Sequence, residues 1–451
     1  MLARTLILSL LLVLTTAFVA AREHPEANAE AAVARNVVAA PAVATDYVAD
    51  VQFLLDEFEK QAGALLAQKK VDWQAVRADF TKRAAAITDD IAHVKLCAQL
   101  IARLQDGHAG FTKVNVKMPE PPAQHGIGLS LCEAGKKVYV KQAFGPASAA
   151  GVEAGFEVLS IDGKKALDWL ADKTREISDE HGFSTQVAAR YAACHWGLLA
   201  DDGTNFEFEF DRGAKGKKRA TLTCDKSGGD ARYVGPLFAN KDLKRLGKRD
   251  AYGKLASGMA YIYLGECAGD LPDELDTALA ALADAPGLIL DLRANNGGGT
   301  DHADVFGRFL APGTTWAQYK SSGKANYAGP MVVIVDAGTR SAGETVSGQF
   351  KEDGRAYMIG PSPTAGMSAQ KVEIEVPSKL FQVRFAVASN KGRFNGGKGI
   401  EGIGVPPHEI VELDPKLLQQ GIDPLIQRAE ELLKKGFPKG AVPYQPPKVK
   451  K

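Results

Sequence analysis

The sequence predicts a multidomain α+β protein with three folded regions behind an N-terminal leader. The chain has 451 residues, enough for two to four domains of ordinary size. Apolar residues recur at helical spacing over residues 46–104, whereas short runs typical of strands fill residues 125–224. From residue 254 onward strands alternate with helices, which predicts a layered β/α domain.

Residues 1–21 have the features of a secretory signal peptide. Arg4 supplies the positive end, an apolar run follows, and small residues precede a cleavage site after Ala21. The apolar run is too short for a comfortable membrane span, and no later segment of the sequence is long and apolar enough for one. We therefore expect an exported protein, periplasmic or extracellular, with residues 22–45 as a flexible leader.

Composition excludes several classes of partner and site. A net charge of +1 gives no general reason to expect nucleic acid or an anionic membrane. The five cysteines include no CxxC pair, so we expect neither a metal site nor a cofactor bound through thiolates. An odd number leaves at least one thiol unpaired after export, and a bridge between Cys132 and Cys224 stays open.

The helical region, residues 46–111, ends in a turn around His108. Gly107 and Gly110 permit a tight turn on each side of the histidine, which positions the imidazole instead of burying it on a helix face. An isolated Asp-Gly-His tripeptide is more often a surface loop with local hydrogen bonds, so other segments must decide its role.

Residues 122–226 resemble a PDZ domain with a helical insertion. A strand at 137–142, a turn into a short helix at 145–152 and a further strand and turn at 155–163 carry the resemblance. It implies that Gly126, Ile127, Gly128 and Leu129 form a peptide-binding loop whose amides capture a chain end. The alternative is a degenerate domain that only packs against its neighbour.

A strand-to-helix turn in residues 251–434 offers a candidate nucleophile. Met331 to Val335 predicts a buried strand, and the segment from Ser341 to Phe350 predicts a helix. A serine at such a turn exposes its hydroxyl beside unsatisfied helix amides, which suits a nucleophile near an oxyanion hole. Taken alone, Ser341 is more simply a helix cap, with Glu344 completing a capping box.

The segments that flank this region have little periodicity. Residues 227–250 predict a linker. Residues 435–451 are rich in Pro and Lys and predict a disordered basic tail.

The ordered set of motifs resembles the C-terminal (tail-specific) processing peptidase family over residues 46–413. The set comprises DGH at 106–108, the PDZ-like region, LILDLRANNGGG at 288–299, VDAGTRSAGE at 335–344 and IEGIGVPP at 400–407. The resemblance implies a serine protease with a crotonase-like, ClpP-like β/α catalytic domain. Its substrates would be extended or unfolded protein segments, including those near C-termini.

The family activates its serine in one of two ways. In a Ser-Lys branch, the position of the lysine is taken here by Gly366 or Met367, and a thioether is no base. In the Ser-His-Glu branch, chlamydial protease-like and tricorn-like, His108 matches the base and Glu401 the carboxylate that orients it. The chemistry requires this set, because imidazole accepts a proton near neutral pH and a carboxylate fixes its tautomer.

The resemblance also implies an oxyanion hole formed by the amides of Gly297 and Ala342. We therefore expect an exported serine endopeptidase with Ser341, His108 and Glu401 as its triad and protein or peptide substrates as partners. A catalytically silent peptide- or ligand-binding protein on the same fold, or a dyad using Lys351 or Lys371, stays open. The oligomeric state also stays open, with a homo-oligomer as one alternative.

Overall fold

A computed structural model describes residues 46–229, 236 and 242–446. The predicted signal peptide and leader, residues 1–45, and the end of the predicted tail, residues 447–451, lie outside the described residues. Within the described ranges, no helix is long and apolar enough to cross a membrane. The mixed α/β multidomain architecture expected from the sequence is confirmed.

The N-terminal region is a cap of three helices, each started by an aspartate. Asp46, Asp72 and Asp89 each accept an amide from the first helical turn, which satisfies a donor left open at a helix start. The helices are α1 (Tyr47–Gln68), α2 (Trp73–Ala84) and α3 (Asp90–Ala102).

A three-stranded antiparallel sheet packs against this cap in the order β1-β19-β18. Its strands are β1 (Gly110–Val114), β18 (Ala369–Glu375) and β19 (Phe381–Ser389). The β18–β19 hairpin falls within the predicted catalytic region, yet Phe381 and Phe385 share a core with Phe58 and Phe111. The late hairpin therefore belongs to the core of the cap, where β19 pairs with the strand that follows His108.

The middle region contains an antiparallel sheet with strand order β3-β4-β5-β8-β9, with β6 beside β5. Its strands are β3 (Leu129–Ala134), β4 (Lys137–Ala143), β5 (Glu157–Ile161), β6 (Lys164–Lys165), β8 (Asn205–Asp211) and β9 (Lys217–Thr223), and a separate pair joins β2 (Gln124–His125) to β7 (Ala200–Asp201). The helices are α4 (Gly145–Ala149), α5 (Ala166–Glu180) and α6 (Gln186–Trp196). Cys132 and Cys224, the candidates for a bridge, are both free and buried.

The third region is built on a seven-stranded sheet in the order β10-β11-β12-β13-β16-β17-β20. The first three strands pair antiparallel and the rest parallel. The strands are β10 (Lys244–Leu246), β11 (Asp250–Lys254), β12 (Ala260–Tyr263), β13 (Leu288–Asp291), β16 (Met331–Ile334), β17 (Tyr357–Gly360) and β20 (Glu409–Ile410), and β14 (Thr315–Trp316) pairs with β15 (Tyr319–Lys320) outside it.

Helices cover both faces of this sheet because alternate strand residues point to opposite sides. Leu288 and Leu290 join one core with α7 (Leu271–Leu282), α8 (His302–Gly307) and α9 (Ala342–Glu352). Ile289 and Val332 join the other core with α10 (Pro415–Gln419) and α11 (Pro424–Lys435). The parallel strands β13 and β16 are neighbours, so the loops after them open at the same edge of the sheet.

Two predicted boundaries are wrong. The segment assigned to a linker, residues 227–250, contains β10, which pairs with β11 and extends the sheet. The described part of the predicted disordered tail is packed, because Tyr444 is 6% exposed and its hydroxyl accepts the amide of Ala311 at 3.1 Å. In both cases a few apolar residues without periodicity gain their structure from tertiary contacts.

Candidate active site

Ser341 lies at the sharp turn between β16 and α9. Its backbone has φ 54° and ψ −121°, and a positive φ in a residue other than glycine is a strained conformation that clusters at functional sites. The Ser341 amide faces the Met367 carbonyl at 3.2 Å and the Glu344 carboxylate at 3.1 Å. Ser341 Oγ is directed to His108 instead of capping α9, so the simple capping role does not describe it.

His108 meets this hydroxyl from the cap. The distance between His108 Nε2 and Ser341 Oγ is 3.1 Å. Asp106 fixes the loop, since its two oxygens accept the amides of His108 at 2.8 Å and of Ala386 at 2.6 Å. Burial lowers the pKa of His108 to about 4, with the charge of Lys371 adding to the shift. The imidazole is therefore neutral at pH 7 and able to accept a proton.

Glu401 lies near His108, with one carboxylate oxygen within 4.8 Å of a ring nitrogen, and makes no direct hydrogen bond to it among the described residues. The carboxylate is fully buried, and Lys69 Nζ holds its Oε1 at 2.7 Å. Among the described residues, Glu401 Oε2 and His108 Nδ1 are both buried and have no hydrogen-bond partner. Burial and the charge of Asp106 raise the pKa of Glu401 to about 7, and Lys69 acts in the opposite direction.

Asp106, His108 and Glu401 lie close enough together for a metal ion, but most of their oxygens have other partners. Asp106, His108 and Glu401 place one atom each within 4.8 Å of the others. Both Asp106 oxygens already accept backbone amides, and Glu401 Oε1 accepts a hydrogen bond from the Lys69 ammonium. Three of the four carboxylate oxygens are therefore engaged by protein donors, and a metal ion prefers carboxylate oxygens without such partners.

Glu344 holds the nucleophile turn from inside. Its Oε1 accepts the Thr364 hydroxyl and the Gly366 amide, both at 2.6 Å, and its Oε2 accepts the Met367 amide at 2.9 Å in addition to that of Ser341. Burial raises the pKa of Glu344 to about 8 even against these bonds. Glu344 thus does more than cap α9, because it also joins the turn at Ser341 to the loop at residues 364–367.

The two amides expected to form an oxyanion hole differ in orientation. A Cβ on Gly297 would lie 2.6 Å from the Ser341 Cβ and 3.2 Å from the Ala342 nitrogen, so the glycine backbone faces both. The Gly297 N–H, however, donates to Asn295 Oδ1 at 2.8 Å. Gly297 therefore opens the space beside Ser341, but its own amide is engaged, contrary to the sequence-based expectation.

The loop expected to bind a peptide end is closed. Gly126, Ile127, Gly128 and Leu129 are all buried, and the Gly126 amide donates to the Gly229 carbonyl at 2.9 Å. The turn at 225–229 lies on this loop, which takes the place that an incoming chain end needs. In this conformation the chain's own turn covers these four residues, and their role in binding a peptide stays a prediction.

The lysine-dependent alternative finds no ammonium at the expected position. Met367 lies there, and a Cβ on Gly107 would be 2.8 Å from its sulfur, so the thioether packs beside the His108 loop. Lys351 lies in the last turn of α9, at the other end of the helix from Ser341. Lys371 is exposed on β18 and influences His108 only through its charge.

Two polar residues of this site escape sequence reasoning. Lys69 reaches Glu401 from the end of α1. Ser184, before α6, accepts the Gly107 amide at 3.0 Å. Neither residue lies in a motif, and a lysine after a helix or a serine before one is ordinary, so no local signal marks them.

Comparisons with known proteins find a family model that part of the chain matches and two curated relatives that are similar to it. Residues 258–411, which contain Ser341 and Glu401, match peptidase family S41. The carboxyl-terminal-processing protease of Picosynechococcus sp. is 24% identical over 383 residues, covering 79% of this chain and 83% of that protein. The protein of the same name from Synechocystis sp. is 28% identical over 284 residues, covering 59% of this chain and 57% of that protein.

Solved structures show the fold. Mature CPAF aligns with a TM-score of 0.63 at 12% identity, covering 86% of this chain and 96% of that one. Mature CPAF complexed with lactacystin aligns equally well, with 98% of its chain covered. The alignments extend well beyond the residues matched by the family, so the fold likeness includes most of the molecule.

Proposed function

We propose that this chain, a serine peptidase of the C-terminal processing family, cleaves extended or unfolded protein segments through Ser341, His108 and Glu401. The observation that carries this proposal is the 3.1 Å contact between Ser341 Oγ and His108 Nε2, residues 233 positions apart. A merely structural serine has no need of a neutral imidazole at its hydroxyl. The name of the relatives favours substrates cut near their carboxyl ends.

In this mechanism Ser341 Oγ attacks the carbonyl carbon of the scissile bond as its proton passes to His108 Nε2. The amide of Ala342, in the first turn of α9, faces the space beside Ser341 and stabilises the oxyanion. His108 then gives the proton to the leaving amine. Water, deprotonated by His108, attacks the acyl-enzyme and releases the acid.

Glu401 stabilises the imidazolium that forms during both steps. A carboxylate oxygen of Glu401 and a ring nitrogen of His108 lie within 4.8 Å of each other. Since Nε2 contacts Ser341, we infer that Glu401 acts on Nδ1, which has no hydrogen-bond partner within the described ranges. A carboxylate there favours the tautomer with the proton on Nδ1 and leaves Nε2 free for the serine proton.

Labelling by a fluorophosphonate probe tests this function, because the probe reacts only with an activated serine. We expect labelling of the wild type, none of Ser341→Ala or His108→Ala, and weak labelling of Glu401→Gln. His302, at the start of α8 after the glycines at 297–299, is another histidine near the site in sequence. His302→Ala and Lys371→Met serve as matched controls and should label like the wild type. Loss of labelling in Lys371→Met with retention in His108→Ala would favour the dyad, and an unreactive wild type, even with unfolded protein added, would favour a silent binding protein.

We also infer export, from the sequence of residues 1–21. N-terminal sequencing of the protein recovered outside the cytoplasm should give a chain that begins at Arg22. A cytoplasmic protein that still carries Met1 would contradict this inference.

A further inference from the structure

One buried ammonium group joins the cap to both loops of the active site. Lys69 follows the last turn of α1, and its side chain is 3% exposed. Its Nζ donates to Glu401 Oε1 at 2.7 Å and to the Gln105 carbonyl at 2.7 Å. Lys69 thereby connects the turn that carries Glu401 with the loop that carries His108.

The position of this ammonium determines which carboxylate oxygen is left for catalysis. Because Lys69 engages Oε1, Oε2 has no hydrogen-bond partner within the described part of the chain, and neither has His108 Nδ1. The nearby Ser184 hydroxyl also lowers the pKa of Glu401, but it brings no charge. A buried carboxylate without a counter-ion tends to take up a proton, and a protonated Glu401 cannot stabilise an imidazolium.

The other charges around Glu401 do not replace Lys69. Asp106 raises the pKa of Glu401 as burial does, and a neutral His108 carries no charge. Lys371 is exposed, and it and Glu344 interact with Glu401 through charge alone. Lys69 is the cation in hydrogen-bond contact with the carboxylate.

We propose that Lys69 is a positioning residue that favours the ionised form of Glu401 and leaves its second oxygen available to His108. This role rests on the proposed function of the triad. It differs from a purely structural role in one respect, since the charge of Lys69 matters in addition to its contacts.

A neighbouring residue supplies the control. Gln68 Nε2 donates to the Glu401 backbone carbonyl at 2.8 Å, so it holds the same turn from the same helix end without a charge. Gln68→Met removes a structural contact only. Lys69→Met removes the charge at similar length, and Lys69→Arg keeps it.

The experiment measures the rate of Ser341-dependent probe labelling from pH 6 to pH 10 for the full mature chain. At pH 7 we expect Lys69→Met to be slower by roughly 100-fold, below the ~10⁴-fold loss seen when a triad carboxylate is replaced by an amide. The rate should recover as pH rises, because Glu401 then ionises without help. Lys69→Arg should stay within about tenfold of the wild type, and Gln68→Met should leave the pH dependence unchanged.

A second comparison separates this inference from the function on which it rests. In a Glu401→Gln background, Lys69→Met should have no further effect, since the group through which it acts is gone. In the double variant both of the new side chains are neutral, so no unpaired charge is buried. The double variant can therefore be measured even if Lys69→Met alone does not fold. A loss that is independent of pH, or additive with Glu401→Gln, would overturn the role of Lys69. A wild type whose labelling does not need Ser341 would instead overturn the triad.

Discussion

Replacing Gly297 with alanine tests the space beside Ser341. The new Cβ would lie 2.6 Å from the Ser341 Cβ, 3.1 Å from the Arg340 carbonyl oxygen and 3.2 Å from the Ala342 nitrogen. These atoms belong to the backbone or to the nucleophile, so no flexible side chain can move aside. Gly297 also has φ +80°, which an alanine adopts only with strain.

The expected cost follows from these two terms. A left-handed conformation costs an L-residue about 1–2 kcal/mol, and overpacking a tight site costs about 1–3 kcal/mol. Together they predict a loss of roughly 2–5 kcal/mol in the free energy of unfolding. Since the methyl group also fills the place of the substrate oxygen beside the Ala342 amide, turnover should fall by about 10²–10³.

Urea unfolding and the rate of fluorophosphonate labelling measure the two effects separately. Gly299→Ala is the matched control, because its Cβ would have no atom within 4 Å and the variant changes the same loop. It should keep stability and labelling close to those of the wild type. A folded Gly297→Ala that reacts at the wild-type rate would refute the assignment of this space to the oxyanion.

Three further predictions concern the surroundings of the site. Above pH 8 Glu344 is a carboxylate that accepts four hydrogen bonds, and Glu344→Gln places an amide N–H₂ against these donors. We expect a loss of about 1–3 kcal/mol in urea unfolding at that pH, and an unchanged midpoint there would mean that the four bonds contribute nothing. The pKa of Glu401 is raised to about 7 and that of His108 lowered to about 4, so kcat/KM should fall as pH decreases through about 7, where Glu401 takes up a proton and His108 is still neutral; a rate that stays flat as the pH falls from about 8 to about 5 would contradict the raised pKa of Glu401. Phe381→Ala, at a fully buried position of the cap core, should lower the free energy of unfolding by about 3–5 kcal/mol, and a smaller loss in calorimetry or urea unfolding would mean that the hairpin is loosely docked.

The strand and helix around the nucleophile are accessible to sequence reasoning because their signals are local. Five consecutive apolar residues from Met331 predict a buried strand, and the structure has β16 there, followed by α9 after Ser341. The Ser-x-x-Glu spacing likewise predicts the contact between Glu344 and the Ser341 amide. In each case the interacting groups lie within a few residues of one another.

The contacts that support the site cannot be predicted from the sequence, because most of them join segments that lie far apart in the chain. Asn295 Oδ1 accepts the amide of Gly297, but in the sequence Asn295 is an ordinary turn residue. The β18–β19 hairpin reads as part of the catalytic region, but the cap offers the apolar surface that buries it. A periodic pattern tells that a face is buried without telling which partner buries it.

The middle region shows how widely the site depends on such contacts. Segment 184–191 contacts three different loops of the site. Ser184 Oγ accepts the Gly107 amide, and Thr185 Oγ1 donates to the Ala365 carbonyl at 2.9 Å. The Tyr191 ring packs against Gly338, where a Cβ would lie 2.6 Å from it. Gly107 directly precedes His108, Gly338 lies in the turn that leads into Ser341, and Ala365 belongs to the loop whose Met367 carbonyl accepts the Ser341 amide. No single region of the chain holds Ser341, His108 and Glu401, the three residues of the proposed triad, together. Because the geometry needs the cap, the β/α sheet and segment 184–191 in one docked arrangement, a displacement of any of them removes the 3.1 Å contact before any sheet has to unfold.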